Sequence, residues 1–295
     1  MAKTKIEWAT DSINIIVGCE KCSDGCKHCY AERMALRLAA MGQEKYKAVT
    51  NGKGWNGKLF FDEAALDKLI SLKKPRMIFV NSMGDTFHKD ASFHWIDQIM
   101  DAACFCTQHT FILLTKRADR LLEYYKNLEL SEDEFKMLYP NVWAGVTICN
   151  QPEADKNIPL LLMTGFAVRF VSIEPMLGKI DLSTIKWVDT TYQGRGQCIL
   201  HFDARHGNHA DSPFNGQKID WVICGGESGP GARPMHPDWV RSLRDQCKAA
   251  NVPFLFKQWG EYGPVNGDNM VRMGKKHAGR TLDGVIHDEY PEVRK

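Results

Sequence analysis

The sequence predicts an α/β fold made of parallel βα units, a full or partial parallel βα barrel, and three observations lead to it. Short apolar runs recur at 13–17, 77–80, 110–114, 142–147, 168–173, 221–224 and 253–256, and most lack polar alternation, as strands covered on both faces do. Amphipathic stretches lie between them at 31–41, 63–72, 93–108, 117–127, 153–162 and 238–250, and such alternation of strands with helices reads as βα units on a parallel sheet. An open Rossmann-type sheet is the alternative, but no G-x-G-x-x-G opens the first helix, where that fold carries its phosphate-binding turn.

Each element has a local reason. The runs are rich in Val, Ile and Phe, which suit a pleated buried surface. Two stretches break the repeat. Residues 44–58 are polar and carry Asn51-Gly52, Gly54 and Asn56-Gly57, which reads as loop. Residues 189–218 carry Gly194, Gly196, Gly207, Pro213 and Asn215-Gly216, and a connection of that length is usually functional or disordered. The expected organisation is a βα barrel over 1–260, with loop insertions at 44–58 and 189–218, followed by a C-terminal extension over 261–295 packed on it.

Composition excludes several classes. The chain has 295 residues, 44% hydrophobic and 25% charged, with a net charge of +2. A sizeable core is therefore expected, and disorder, collagen and coiled coil are not. The charge balance announces neither nucleic acid nor a membrane surface. No apolar run is long enough to span a bilayer, and the opening Met-Ala-Lys-Thr-Lys-Ile-Glu-Trp lacks the pattern of a signal peptide. A cytoplasmic location is expected, with no membrane partner.

Ten cysteines is not the density of a disulfide scaffold, but Cys19, Cys22, Cys26 and Cys29 fall within eleven residues, after the first strand and before the first helix. In a βα barrel that connection lies on the face where active sites form. Two readings of the cluster compete. All four thiolates would close a tetrahedral zinc or iron site, although the CxxC pairs of such sites usually stand further apart. Alternatively, three hold an iron–sulfur cluster and leave one iron open, as catalysis requires. Cys198, His201, His206 and His209 form a second spacing that would suit a metal, or a loop enriched in His by chance.

The residues also resemble a known family. The carriers are Cys26-Lys27-His28-Cys29-Tyr30-Ala31-Glu32-Arg33 with Cys19 upstream, the segment from Pro75 to His88 including Asn81-Ser82-Met83-Gly84-Asp85, Leu114-Thr115-Lys116-Arg117, and Asn141-Val142-Trp143-Ala144-Gly145-Val146. They continue with Val168-Arg169-Phe170-Val171-Ser172-Ile173-Glu174-Pro175, the segment from Gly225 to Pro234, Phe256-Lys257-Gln258-Trp259-Gly260-Glu261, and Gly274-Lys275-Lys276. In this order, over nearly the whole chain, they resemble a phage-type family with a three-cysteine motif. That family is similar to a divergent branch of the radical S-adenosylmethionine enzymes, with motifs like those of spore photoproduct lyase.

The resemblance implies a barrel of the radical S-adenosylmethionine type. It implies a [4Fe-4S] cluster on Cys19, Cys26 and Cys29 with S-adenosylmethionine on the open iron, an electron donor as partner, and a 5′-deoxyadenosyl radical that abstracts hydrogen. Cys22 remains the alternative first ligand, because it gives the commoner C-x3-C spacing. His28 would pack near the adenosyl group. Asn81, Ser82 and Asp85 would hold the amino group of the cofactor methionine, with Thr147, Ser172 and the Gly225-Gly226 turn as further cofactor contacts. Glu174, Lys116 and Glu227 are the candidate catalytic residues. Phage occurrence and the lyase-like motifs point to a nucleotide or nucleic acid substrate. The competing function is a non-catalytic phage binding protein stabilised by zinc or an iron–sulfur centre.

Overall fold

The computed structural model describes residues 2–4, 6–189, 198–207, 214 and 216–292. The chain forms two compact units, one of residues 1–145 and 165–167, the other of residues 146–164 and 168–295. Both are mixed α/β with parallel strands and helices between them, a succession compatible with a partial βα barrel.

In the first unit, β1 (Ala2–Lys3) pairs antiparallel with β2 (Asp11–Ile13). The run expected at 13–17 is not one strand. It ends at Ile13 and resumes as β3 (Ile16–Val17), which pairs with β4 (Phe60–Phe61). The cause is a distant side chain: Asn81 Oδ1 accepts from the Ile15 and Ile16 amides at 2.8 and 2.9 Å, in place of a neighbouring strand. Between β3 and β4 come α1 (Tyr30–Ala40) and α2 (Glu44–Val49). The second helix corrects the loop expected over 44–58. Tyr46 and Val49, three residues apart, bury against Val17 and Ala35, and that tertiary packing outweighs the polar composition.

α3 (Glu63–Ile70) starts at Asp62, whose carboxylate accepts from the Ala65 amide. β5 (Met77–Val80) then lies parallel between β2 and β6 (Thr110–Thr115), with α4 (Phe93–Phe105) connecting the two strands. α5 (Ala118–Asn127) follows, and then α6 (Glu132–Leu138). Ser131 and Glu134 form a capping box at the start of α6, a signature the sequence reading passed over. β7 (Val142–Thr147) is buried at every residue and carries the boundary between the units, its first four residues in one and its last two in the other.

The second unit continues with α7 (Gln151–Leu162), capped by Asn150, and β8 (Val168–Ile173), also buried throughout. The long connection expected over 189–218 is partly a hairpin: β9 (Ile185–Asp189) pairs antiparallel with β10 (Cys198–Phe202), Ile185 opposite Phe202 and Asp189 opposite Cys198. Phe202 is buried and stacks on Phe214 at 4.5 Å, which fixes the inward face of β10. β11 (Trp221–Gly225) lies parallel between β8 and β12 (Phe254–Gln258), with α8 (Pro237–Ala249) joining β11 to β12. The tail forms the hairpin of β13 (Tyr262–Val265) and β14 (Asn269–Arg272) and the short α9 (Lys275–Ala278). It then runs back along β12: the Phe256 amide donates to His287 O, the Phe254 amide to Glu289 Oε2, and Trp221 Nε1 to Glu289 O. This covers a strand edge that would otherwise expose unpaired amides. No helix among the described residues is long and apolar enough to cross a membrane.

Candidate functional site

The cysteine loop of the first unit is seated by two glycines. Gly18 has φ +106°, and a Cβ there would stand 2.3 Å from the Lys58 carbonyl oxygen. A Cβ at Gly84 would stand 2.4 Å from Ile16 O. The two glycines face each other in a parallel bridge, so the backbone leaving β3 touches the backbone after β5. Beyond Gly18 the loop carries Cys19, a 3₁₀ turn at Asp24–Cys26 capped by Ser23 Oγ, and Cys29 at the N-cap of α1. Lys21 pairs with Glu32 of α1 at 2.8 Å, and Glu32 also accepts from the Trp55 amide.

The thiols differ in surroundings. Cys26 is buried, Cys22 is exposed, and Cys19 and Cys29 are half-buried. The Cys22 thiol donates to Cys26 and pulls the Cys26 thiol down to about 5, with Lys116 adding to the effect. Cys22 itself is pushed up, chiefly by that same contact. Burial pushes Cys19 up to about 12, with Asp85 adding and Arg117 opposing. Among the described residues no three Cys, His, Asp or Glu side chains are gathered closely enough to hold one metal ion. The fit to an iron–sulfur cluster rests on donor chemistry: four thiols on one loop, with Lys116 and Arg117 beside two of them. Thiolates are the ligands such clusters take.

The segment after β5 was expected to hold the ammonium of a cofactor, and all three of its residues make hydrogen bonds within the protein. Asn81 has φ +62°. Its amide is used by the Ile15 and Ile16 amides and by Thr86 Oγ1, to which Nδ2 donates at 2.9 Å. Asp85 is 5% exposed. It accepts from Thr115 Oγ1 at 2.7 Å, from the Phe87 amide at 3.0 Å and from Arg117 Nη1 at 2.9 Å. Ser82 is half-buried, with its hydroxyl between Ser12 Oγ and Asn14 Oδ1. Tyr30, which the sequence reading did not single out, donates to Ser82 O at 2.7 Å. His28 is half-buried.

His88 ends this segment fully buried. Its Nδ1 accepts from the Asp90 amide, and its Nε2 meets no polar partner. Burial lowers its affinity for a proton, and Arg117 adds to this; His109 is lowered too, chiefly by burial. A histidine depressed in the folded state is neutral there, while the unfolded chain takes up its proton below about pH 6.5. Its contribution to stability is complete above that pH and is lost as pH falls. Urea midpoints should therefore drop between pH 7.5 and pH 5.5, and the drop should be smaller in His88→Gln. An identical pH slope in that variant would exclude His88 as a source.

In the second unit the polar residues gather at the C-terminal ends of β7, β8, β11 and β12, where parallel sheets bind ligands. Thr147 and Ser172 are buried. Ser172 Oγ donates to Glu174 Oε2 at 3.2 Å, and Lys257 Nζ lies 3.0 Å from Glu174 Oε1. β11 runs between their strands and contributes Gly225, where a Cβ would stand 2.7 Å from Glu174 Oε1. A Cβ at Gly226 would stand 1.9 Å from Trp259 O. Of these two glycines, both expected as cofactor contacts, Gly226 is required by the backbone beside it, and Gly225 lies against the end of the Glu174 side chain. Glu227 is held by Arg233 through both carboxylate oxygens at 2.7 and 2.8 Å, a fork that engages it as an ion pair. Lys257 was the partner the sequence reading underrated. Of the second metal spacing, His209 and the Cys198 side chain lie outside the described residues.

Compared with known proteins, residues 3–291 match a family model whose description is protein of unknown function (DUF5131). No curated protein and no solved structure matches the chain.

Proposed function

We propose that this chain, which belongs to the DUF5131 family, is an iron–sulfur radical S-adenosylmethionine enzyme acting on a nucleotide or nucleic acid. The observation that carries this reading is the loop of four thiols between β3 and α1, with two cations beside it. Cys19, Cys26 and Cys29 would hold a [4Fe-4S] cluster. When bound, that cluster and S-adenosylmethionine would supply radical chemistry, a hydrogen-abstracting 5′-deoxyadenosyl group generated with one electron from an external donor.

The chain's own residues bind and orient. Lys116 and Arg117 offset the negative charge that thiolates bring to the site. Asp85, already paired with Arg117 and Thr115, serves the loop from within, and Ser82, half-buried and hydrogen-bonded to Ser12 and Asn14, is the more accessible contact for a cofactor amino group. In the second unit, Lys257 and Glu174 form a carboxylate–ammonium pair next to Ser172, able to hold or pass a proton at a substrate.

The test is anaerobic reconstitution with iron and sulfide, followed by reduction with dithionite in the presence of S-adenosylmethionine and chromatography for 5′-deoxyadenosine. Four irons per chain and cofactor cleavage are expected. Colourless protein carrying one zinc, or a reduced cluster that neither binds nor cleaves the cofactor, would overturn the reading.

A further inference from the structure

We infer that Arg117 is a positioning residue for Cys19, and that the pair makes Cys19, rather than Cys22, the first thiolate of the cluster. The inference rests on the iron–sulfur reading above and deepens it. Three separated pieces of the first unit converge: the loop after β3, the loop after β5 and the start of α5. Arg117 is 8% exposed. Its Nη1 lies 2.9 Å from Asp85 Oδ2 and 3.9 Å from Cys19 Sγ. Its Nη2 donates to Glu20 O at 3.3 Å and lies 3.7 Å from Glu20 Oε1. The guanidinium thus spans Asp85 on one side and the Cys19-Glu20 backbone and sulfur on the other.

The cation cannot swing away. Asp85 is pinned by Thr115 Oγ1, the Phe87 amide and the Lys116 amide, and the Arg117 amide donates to the same Thr115 hydroxyl at 2.9 Å. Glu20 is held from outside by Lys89 at 3.0 Å. A planar, permanently charged fork suits this bridging role, whereas a lysine would offer a single point charge. Arg117 reaches Cys22 by its charge but not by a hydrogen bond; Cys22 is exposed, and its thiol turns to Cys26.

An N–H donor and a fixed positive charge at a ligand sulfur draw electron density from an iron–sulfur centre and raise its reduction potential. Arg117 would therefore do two things: orient Cys19 toward the iron, and make the cluster easier to reduce. Asp85 acts one step further out, by aiming Arg117.

The experiment compares full-length wild type, Arg117→Gln and Arg117→Lys, each reconstituted anaerobically, for iron and sulfide content, the EPR spectrum of the reduced state and the midpoint potential. Arg117→Gln should have a more negative midpoint, an altered EPR line shape and several-fold faster iron loss to a chelator. Arg117→Lys should recover part of the midpoint shift and less of the line shape. A midpoint and spectrum in Arg117→Gln equal to wild type would overturn the inference while leaving the iron–sulfur reading intact. A wild type that takes up no cluster would overturn both. Cys19→Ala and Cys22→Ala keep the proposal testable should Arg117→Gln fail to fold. Loss of cluster in the first and retention in the second support it, and the reverse pattern overturns it.

Discussion

Replacing either Cys26 or Cys29 with alanine is expected to remove the iron–sulfur centre entirely, with iron and sulfide falling to background and the brown colour lost. Three thiolates are the minimum set for a cluster with one open iron, and a methyl group offers no donor. The two sites are expected to fail alike for different local reasons. Cys26 closes the 3₁₀ turn, and its contact with Cys22 pulls its thiol down to about 5. Cys29 is the N-cap of α1 and makes no side-chain capping bond, so its removal should leave the helix in place. Far-UV circular dichroism should accordingly be unchanged in Cys29→Ala while the charge-transfer absorption disappears. Either variant retaining a full [4Fe-4S] spectrum would refute the ligand assignment.

A second large effect is expected from Asp85→Ala, and it lies in stability. From the sequence, the anticipated result of this substitution is weaker cofactor binding with cluster content unchanged. The structure adds a cost in stability. Asp85 and Arg117 are 5% and 8% exposed and 2.9 Å apart, and removing one partner of a buried pair strands the other charge away from water. Such losses run to about 3–5 kcal/mol. Arg117 keeps Glu20 as a neighbour at 3.7 Å, which favours the lower end of that range. Urea denaturation should show the loss as a shifted midpoint with an unchanged slope. Asp85→Asn, which keeps an acceptor for Thr115 Oγ1 and the Phe87 amide, should lose less. A midpoint within error of wild type in Asp85→Ala would mean that the pair contributes nothing to the fold.

The apolar runs at 142–147 and 168–173 coincide with β7 and β8, and the other main strands and helices lie within a few residues of their expected positions. These features were legible because their cause is local. A strand covered on both faces must be apolar at every position, and a helix start needs its cap within three residues. The four-thiol loop was legible for the same reason, since its donors lie within eleven residues. What is set by contacts between distant segments was not. The strand expected over 13–17 breaks because an amide from residue 81 takes its place in the pairing. The polar stretch from 44 folds into a helix because Tyr46 and Val49 find Val17 and Ala35. Asp85, read from its position after a strand as a contact for an ammonium, pairs with a guanidinium 32 positions along the chain, and Glu227 is likewise engaged by Arg233. At Gly226 the close approach is to the Trp259 backbone carbonyl, a contact from 33 positions along the chain. The sequence by itself determined the βα succession and the donor chemistry of the thiol loop, because propensity, burial pattern and ligand type are properties of short segments. Only the tertiary structure decided which polar groups remain for chemistry, because a buried charge or amide takes whichever partner the fold brings within hydrogen-bond distance.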